Sequence, residues 1–271
     1  MSVDDGNPAM PPSKGDAPCP QADMIAAVRS AVASRAAALA FQPVVQASTP
    51  HLPAFHEGLI RLSDPGGRIL PAGDFIELVE GTELGAEIDT LALDLGLAAL
   101  RRQPGLRLSV NMSTHSIGAP RWEETLRRGL AADPTVGERL ILEITESSAM
   151  GRPDQVASFM RGLQASGVAF ALDDFGAGAT SFRYLRDLRL DILKIDGQFI
   201  GGLGHNTDNQ ALVRALVSIG RHFEMLTVGE KVETAADAVA CTDFGLNCLQ
   251  GYHFGAPLLQ PLWDETARLT A

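Results

Sequence analysis

Leu39-Ala40-Phe41-Gln42-Pro43-Val44-Val45 is followed, after Gln46-Ala47-Ser48-Thr49-Pro50-His51-Leu52-Pro53-Ala54-Phe55, by His56-Glu57-Gly58-Leu59-Ile60-Arg61-Leu62. The two outer pieces carry the apolar, β-branched and aromatic side chains typical of strands. The ten residues between them are too few for a crossover helix, so the two strands are expected to pair as an antiparallel hairpin. Upstream, Met24, Ile25, Val28, Val32 and Ala36 recur at helical spacing and lead into the first strand. Downstream, short apolar segments at residues 106–113, 139–147, 168–176, 192–199, 225–233 and 248–255 alternate with stretches of helical period at residues 86–103, 121–132, 153–166, 208–222 and 235–244. Such alternation means parallel pairing, and eight strands is the number at which a sheet of this kind closes into an α/β barrel.

At 271 residues, with 45% hydrophobic and 20% charged side chains, the chain has material for one globular core. Residues 1–21 hold five prolines and almost no large apolar side chain, so a flexible tail is expected there. Residues 22–265 are expected to form the barrel, and residues 266–271 a C-terminal tail. The net charge of -11 disfavours a nucleic-acid polymer or an anionic lipid surface as partner. It still allows a small phosphorylated ligand, provided that bound cations reverse the local sign. Cys19, Cys241 and Cys248 have no metal or redox spacing, and no apolar run reaches the ~18 residues of a membrane span. A cytoplasmic protein without a membrane segment is expected. The six histidines follow no ligand spacing and read as surface or loop residues.

In a parallel barrel the active site lies where strands hand over to loops. The residues at those ends are Glu57, Asn111, Glu143, Asp173 with Asp174, Lys194, Glu230 and Gln250. Hard oxygen donors without His or Cys favour Mg2+ or Mn2+. Any one such carboxylate could instead be solvated or cap a helix, and Asn111 could cap a turn. Asp173 and Asp174 are set apart by the apolar strand that leads straight into them, and Lys194 by its place between Leu193 and Ile195, where a lysine needs an acidic partner. Adjacent carboxylates on a strand point to opposite sides unless the backbone turns, and Gly176 and Gly178 are the residues expected to permit the turn. One of the pair could then be shared between two cations, an arrangement suited to displacement at phosphorus.

Eight pieces carry a resemblance. They are Phe41-Gln42-Pro43-Val44-Val45, Glu57-Gly58-Leu59-Ile60-Arg61, Asn111-Met112-Ser113, Leu142-Glu143-Ile144-Thr145-Glu146-Ser147, Leu172-Asp173-Asp174-Phe175-Gly176, Leu193-Lys194-Ile195-Asp196, Glu230-Lys231-Val232-Glu233-Thr234 and Gln250-Gly251-Tyr252. In this order the chain resembles the EAL-domain family of cyclic di-GMP phosphodiesterases. The resemblance implies a modified TIM (β/α)8 barrel with an antiparallel first strand and a two-metal site for Mg2+ or Mn2+. It also implies hydrolysis of cyclic di-GMP to linear pGpG. It assigns Glu57, Asn111, Glu143 and Asp173 to one metal, Asp174 and Glu230 to the second, and Lys194 to the attacking water, so that Lys194, Glu230 and Glu57 are the catalytic set. Glu146 becomes a loop anchor, and Gln42, Leu59, Arg61, Glu233 and Gln250 become ligand contacts. A twofold homodimer, paired through the loop after Asp174 and residues 180–190, is the implied assembly.

The departures fall around the site rather than in it. The signature's central alanine is Gly58 and its trailing tryptophan is Leu62. The loop read as D-F-G-T-G-Y-S-S is here Asp174-Phe175-Gly176-Ala177-Gly178-Ala179-Thr180-Ser181, and Lys231 replaces a glycine. Lys231 is expected to point away from the metals if the strand pleat continues past Glu230. The altered loop leaves two alternatives open beside the enzyme: a receptor that binds cyclic di-GMP with little turnover, and a protein-interaction module.

Overall fold

The computed structural model describes residues 21–177, 183–261 and 263. Most of the expected N-terminal tail, the expected C-terminal tail and residues 178–182 of the altered loop lie outside the described residues. In chain order the elements are α1 (Gln21–Ala33), β1 (Ala37–Gln46), β2 (Thr49–Ser63), β3 (Ile69–Pro71), α2 (Ile76–Val79), α3 (Glu83–Arg102), β4 (Leu108–Asn111), α4 (Pro120–Ala132), β5 (Leu140–Thr145), α5 (Glu146–Gly151) and α6 (Pro153–Gln164). They continue as β6 (Ala169–Phe175), α7 (Arg183–Asp187), β7 (Ile192–Ile195), α8 (Gly197–Ile200), α9 (Thr207–His222), β8 (Leu226–Gly229), α10 (Ala235–Asp243) and β9 (Cys248–Gln250).

Strands β2 and β4 to β9 run parallel to one another, each paired with the next. Strand β1 runs the other way and closes the ring, with Gln42 opposite Glu57 on β2 and Val44 opposite Gln250 on β9. The fold is an α/β barrel of the TIM type, modified by its antiparallel first strand, with β3 as an extra antiparallel strand on the outer edge of β2. No helix among the described residues is long and apolar enough to cross a membrane.

The hairpin is tighter than the sequence suggests. Most of what reads as a connection is strand: β2 starts at Thr49, directly after a turn at Ala47 and Ser48, and carries Pro50 and Pro53. Prolines are tolerated there because β2 meets β4 only from His56 onward, so the early part of the strand has one edge with no ladder to donate to. The last three strands also end well before the expected residues 199, 233 and 255. Asp196 accepts from the Gln198 N–H at 2.9 Å and starts α8, β8 stops at Gly229, and β9 stops at Gln250. His56 is not a surface residue: it is partly buried, with its ring edge-on to Trp263 at 4.5 Å, and burial lowers its pKa to about 4.

Apolar side chains fill two zones. One lies between strands and helices and includes Leu62, Leu93, Leu108, Phe170 and Leu193. The other lies inside the barrel and is made of Val44, Phe55, Ile141, Ala171, Ile192, Val228 and Cys248. Because side chains on one face of a strand recur every two residues, the next inward rung toward the mouth is dictated by register. It includes Gln42, Glu57, Glu143, Asp173, Lys194, Glu230 and Gln250, with Asn111 of β4 opposite Glu143. An apolar side chain buried at one of these positions would contribute ~1.5–3 kcal/mol. Polar residues stand at all of them, which marks the rung as a site rather than as packing.

Candidate metal centre

Lys194 is the hub of this rung. It is 1% exposed, and its Nζ lies 2.8 Å from Glu143 Oε2, 2.8 Å from Asp173 Oδ1, 2.9 Å from Glu230 Oε1 and 3.3 Å from Glu57 Oε2. Burial pushes its pKa down, but Asp173, Glu143, Glu230 and Glu57 together outweigh burial and hold it well above the ordinary lysine value. One ammonium cannot neutralise four carboxylates. The excess negative charge shows in the acids: burial, reinforced by the charge of Glu57, raises Glu143 to about 8. Glu230 is pushed far up, again chiefly by burial.

The carboxylates form two groups. Oxygens of Glu57, Glu143 and Asp173 lie within 4.8 Å of one another, as do oxygens of Asp173, Asp174 and Glu230. Asp173 belongs to both. The residues fit divalent cations on two further grounds. Glu143 Oε1 is buried without a hydrogen-bond partner among the described residues, and every donor is a hard oxygen. Asn111 extends the first group, since its Nδ2 donates to Glu57 Oε1 at 2.8 Å.

Asp173 and Asp174 can serve one group because β6 breaks its pleat between them. The pairing with β7 slips between Leu172 and Phe175, and Asp174 itself takes the left-handed conformation, with φ 52°. The expected turn therefore lies at the second aspartate and not at the glycines. Aspartate is among the few residues that enter this region at modest cost. Gly176 has a separate duty: its φ is 96°, and a Cβ there would lie 2.4 Å from the Phe199 ring. This tight passage lets the Gly176 N–H reach Glu146 Oε2 at 3.0 Å. Glu146 thus ties the start of the altered loop to the end of β5.

Two expected ligand contacts lie within the rung and touch its other members. Gln250 and Gln42 are buried. Gln250 Nε2 donates to Glu57 Oε2 at 2.6 Å and to Gln42 Oε1 at 3.2 Å, and Gln42 donates to the Gly255 carbonyl at 3.1 Å. In this arrangement they brace Glu57 from behind. Leu59 lines a cavity of about 650 Å³ that opens from Asp173 and Asp174 toward Met112 and Ile88. Arg61 and Glu233 are not among its lining residues. Arg61 is half-buried and donates to the Ile60 carbonyl at 3.0 Å, and Glu233 is exposed.

Residues 25–257 match the family model described as EAL domain. The chain belongs to the EAL domain family. It is 34% identical over 244 residues to the bifunctional diguanylate cyclase/cyclic di-GMP phosphodiesterase MucR of Pseudomonas aeruginosa, covering 88% of this chain and 35% of that protein. The phosphodiesterase part of MucR, solved as a c-di-GMP complex, superposes with a TM-score of 0.78 at 33% identity, covering 90% of this chain and 99% of that one. The FimX EAL domain from Pseudomonas aeruginosa, solved bound to c-di-GMP, gives 0.79 at 26% identity, covering 88% and 97%. The chain spans about a quarter to a third of the length of the curated relatives it matches.

One residue of this EAL domain escapes a reading by strand ends. Asp89, on α3, is buried and accepts from the Ser113 N–H at 2.8 Å and from Ser116 Oγ at 2.6 Å. It thereby pins the turn that follows Asn111. Its signal in the sequence is an acid set beside Ile88 and three residues before Ala92 on the buried stripe of α3. Burial raises its pKa to about 7, above the ~3.9 of an unfolded chain. Asp89 then stabilises the fold fully below that value and loses its contribution as pH rises toward 7. The Tm of Asp89→Asn, relative to the parent, is therefore expected to increase between pH 5 and pH 8. A difference that stays constant across that range would refute this account.

Lys231 departs from its expected course. The pleat ends at Gly229, and Lys231 is left-handed, with φ 52°, a conformation costing a side chain ~1–2 kcal/mol. Its Nζ reaches Asp196 Oδ2 at 3.1 Å.

Proposed function

We propose that this EAL domain hydrolyses one phosphodiester bond of cyclic di-GMP to give linear pGpG, using Mg2+ or Mn2+ at two positions. Glu57, Asn111, Glu143 and Asp173 would hold the first cation, and Asp173, Asp174 and Glu230 the second. The observation that carries the reading is the pair of carboxylate groups sharing Asp173 around one buried lysine. Family membership and the similarity to a phosphodiesterase solved with c-di-GMP support the substrate.

When bound, such cations acidify a water and offset charge on the phosphoryl oxygens. The protein's own groups do the rest. Lys194 keeps a fixed positive charge beneath the site, which offsets part of the repulsion that the carboxylates it touches would exert on a hydroxide. Gln42, Gln250 and Asn111 hold Glu57 in one orientation, and Glu146 holds the loop that follows Asp174. Leu59 and the cavity beyond it offer apolar surface to a base. The chain is further read as a cytoplasmic homodimer, with residues 22–265 as its folded unit; sedimentation at micromolar concentration tests the dimer.

The direct test is incubation with cyclic di-GMP and Mg2+, followed by chromatography. Accumulation of pGpG that stops in excess chelator is expected, as is inhibition by Ca2+, which is larger and less demanding of octahedral geometry. Undiminished turnover in excess chelator would refute the two-metal reading.

A further inference from the structure

We propose that Lys231 sets the affinity of the second cation position, the one framed by Asp173, Asp174 and Glu230, and holds it weaker than the first. The inference rests on the metal-dependent reading above. Lys231 follows Glu230 directly, and its side chain, although 66% exposed, follows a defined course. It lies flat over Gly197, where an added Cβ would come within 2.6–2.8 Å of its Cβ, Cγ and Cδ. Its ammonium is fixed 3.1 Å from Asp196 Oδ2. Asp196 is itself fixed, because its other oxygen caps α8 through the Gln198 N–H. A left-handed lysine, a glycine slot to receive it and an aspartate to end on together hold one positive charge on Asp196, on the residue that directly follows Glu230 of the second group.

That charge acts across space on Asp174 and Glu230, two of the three donors. Glu143, in the first group, is governed by its burial and by Glu57, Lys194 and Asp173. A fixed ammonium near a dication raises the energy of the bound state by an amount that falls with distance. The position nearer Lys231 is therefore penalised more. Asp196 has the opposite sign and partly cancels the penalty, so the two residues form an adjustable pair rather than a plain block.

The experiment is Mn2+ binding to the full chain without substrate, followed by calorimetry and by electron paramagnetic resonance of the free ion. The parent should show a tight and a weak class of site. Lys231→Met should tighten the weak class about tenfold and move the tight class by less than about twofold. Asp196→Asn should weaken that same class, the double variant should return near the parent, and Lys231→Arg should leave both classes in place. A weak class unchanged in Lys231→Met, or both classes tightening together, would overturn the inference while leaving the metal-dependent reading intact. Failure of the parent to bind Mn2+ at all would overturn that reading, and this inference with it.

Discussion

Replacing Lys194 with methionine is expected to destabilise the metal-free protein by ~3–5 kcal/mol and to lower turnover by ~10² or more. The first effect comes from leaving Glu57, Glu143, Asp173 and Glu230 without the ammonium that contacts all four. Buried carboxylates without a counter-charge must take up protons or pull in water, and both oppose folding. Family analogy alone would have Lys194 act on the attacking water, with ligand binding intact in its absence. The four ion pairs make it structural as well. Divalent cations should then rescue the variant's stability more than the parent's, because they supply the missing charge. Urea unfolding of parent and variant, with chelator and with Mn2+, checks this. Equal stabilisation of both proteins by Mn2+ would contradict it.

The second large effect is expected at Asp173. Asp173→Asn replaces the charged carboxylate that both groups share by a neutral amide with one oxygen, so both cation positions should weaken together and turnover should fall on the order of 10³. Asp174→Asn touches only the second group and should spare one class of Mn2+ site. Binding stoichiometry separates the two variants even where activity is too low to rank them. If Asp174→Asn abolishes both classes, the sharing belongs to the wrong aspartate.

The eight barrel strands were legible because a strand that plugs a barrel is apolar up to its last inward residue and then changes character at once. Ile141 to Glu143 and Ile192 to Lys194 show the step plainly. What stayed hidden depends on backbone geometry or on distant partners. The slip at Asp173 and Asp174 has no signature beyond two acids in a row. The left-handed turn at Lys231 runs against what a lysine usually signals. The early part of β2 was obscured by Pro50 and Pro53, whose harm depends on whether a neighbouring strand needs their missing N–H. Asp89 gains its meaning only when the turn after Asn111 folds back onto α3. Gln42 and Gln250 were found as members of the site, but their task of holding Glu57 follows from burial, which sequence spacing alone does not show.

The reversed course of β1 also bears on the order in which the molecule assembles. Its pairing with β2 is local, so the hairpin can form early at little entropic expense. Its pairing with β9 joins Val44 to Gln250, and that contact must wait until nearly all of the chain from α1 onward has been made and folded. The same event carries Gln250 to Glu57 and Gln42. Maturation of the acidic ring is therefore kinetically tied to ring closure, and a nascent chain still lacking β9 would hold the carboxylates in an open crescent. Activity should emerge in one late step rather than grow with each strand added.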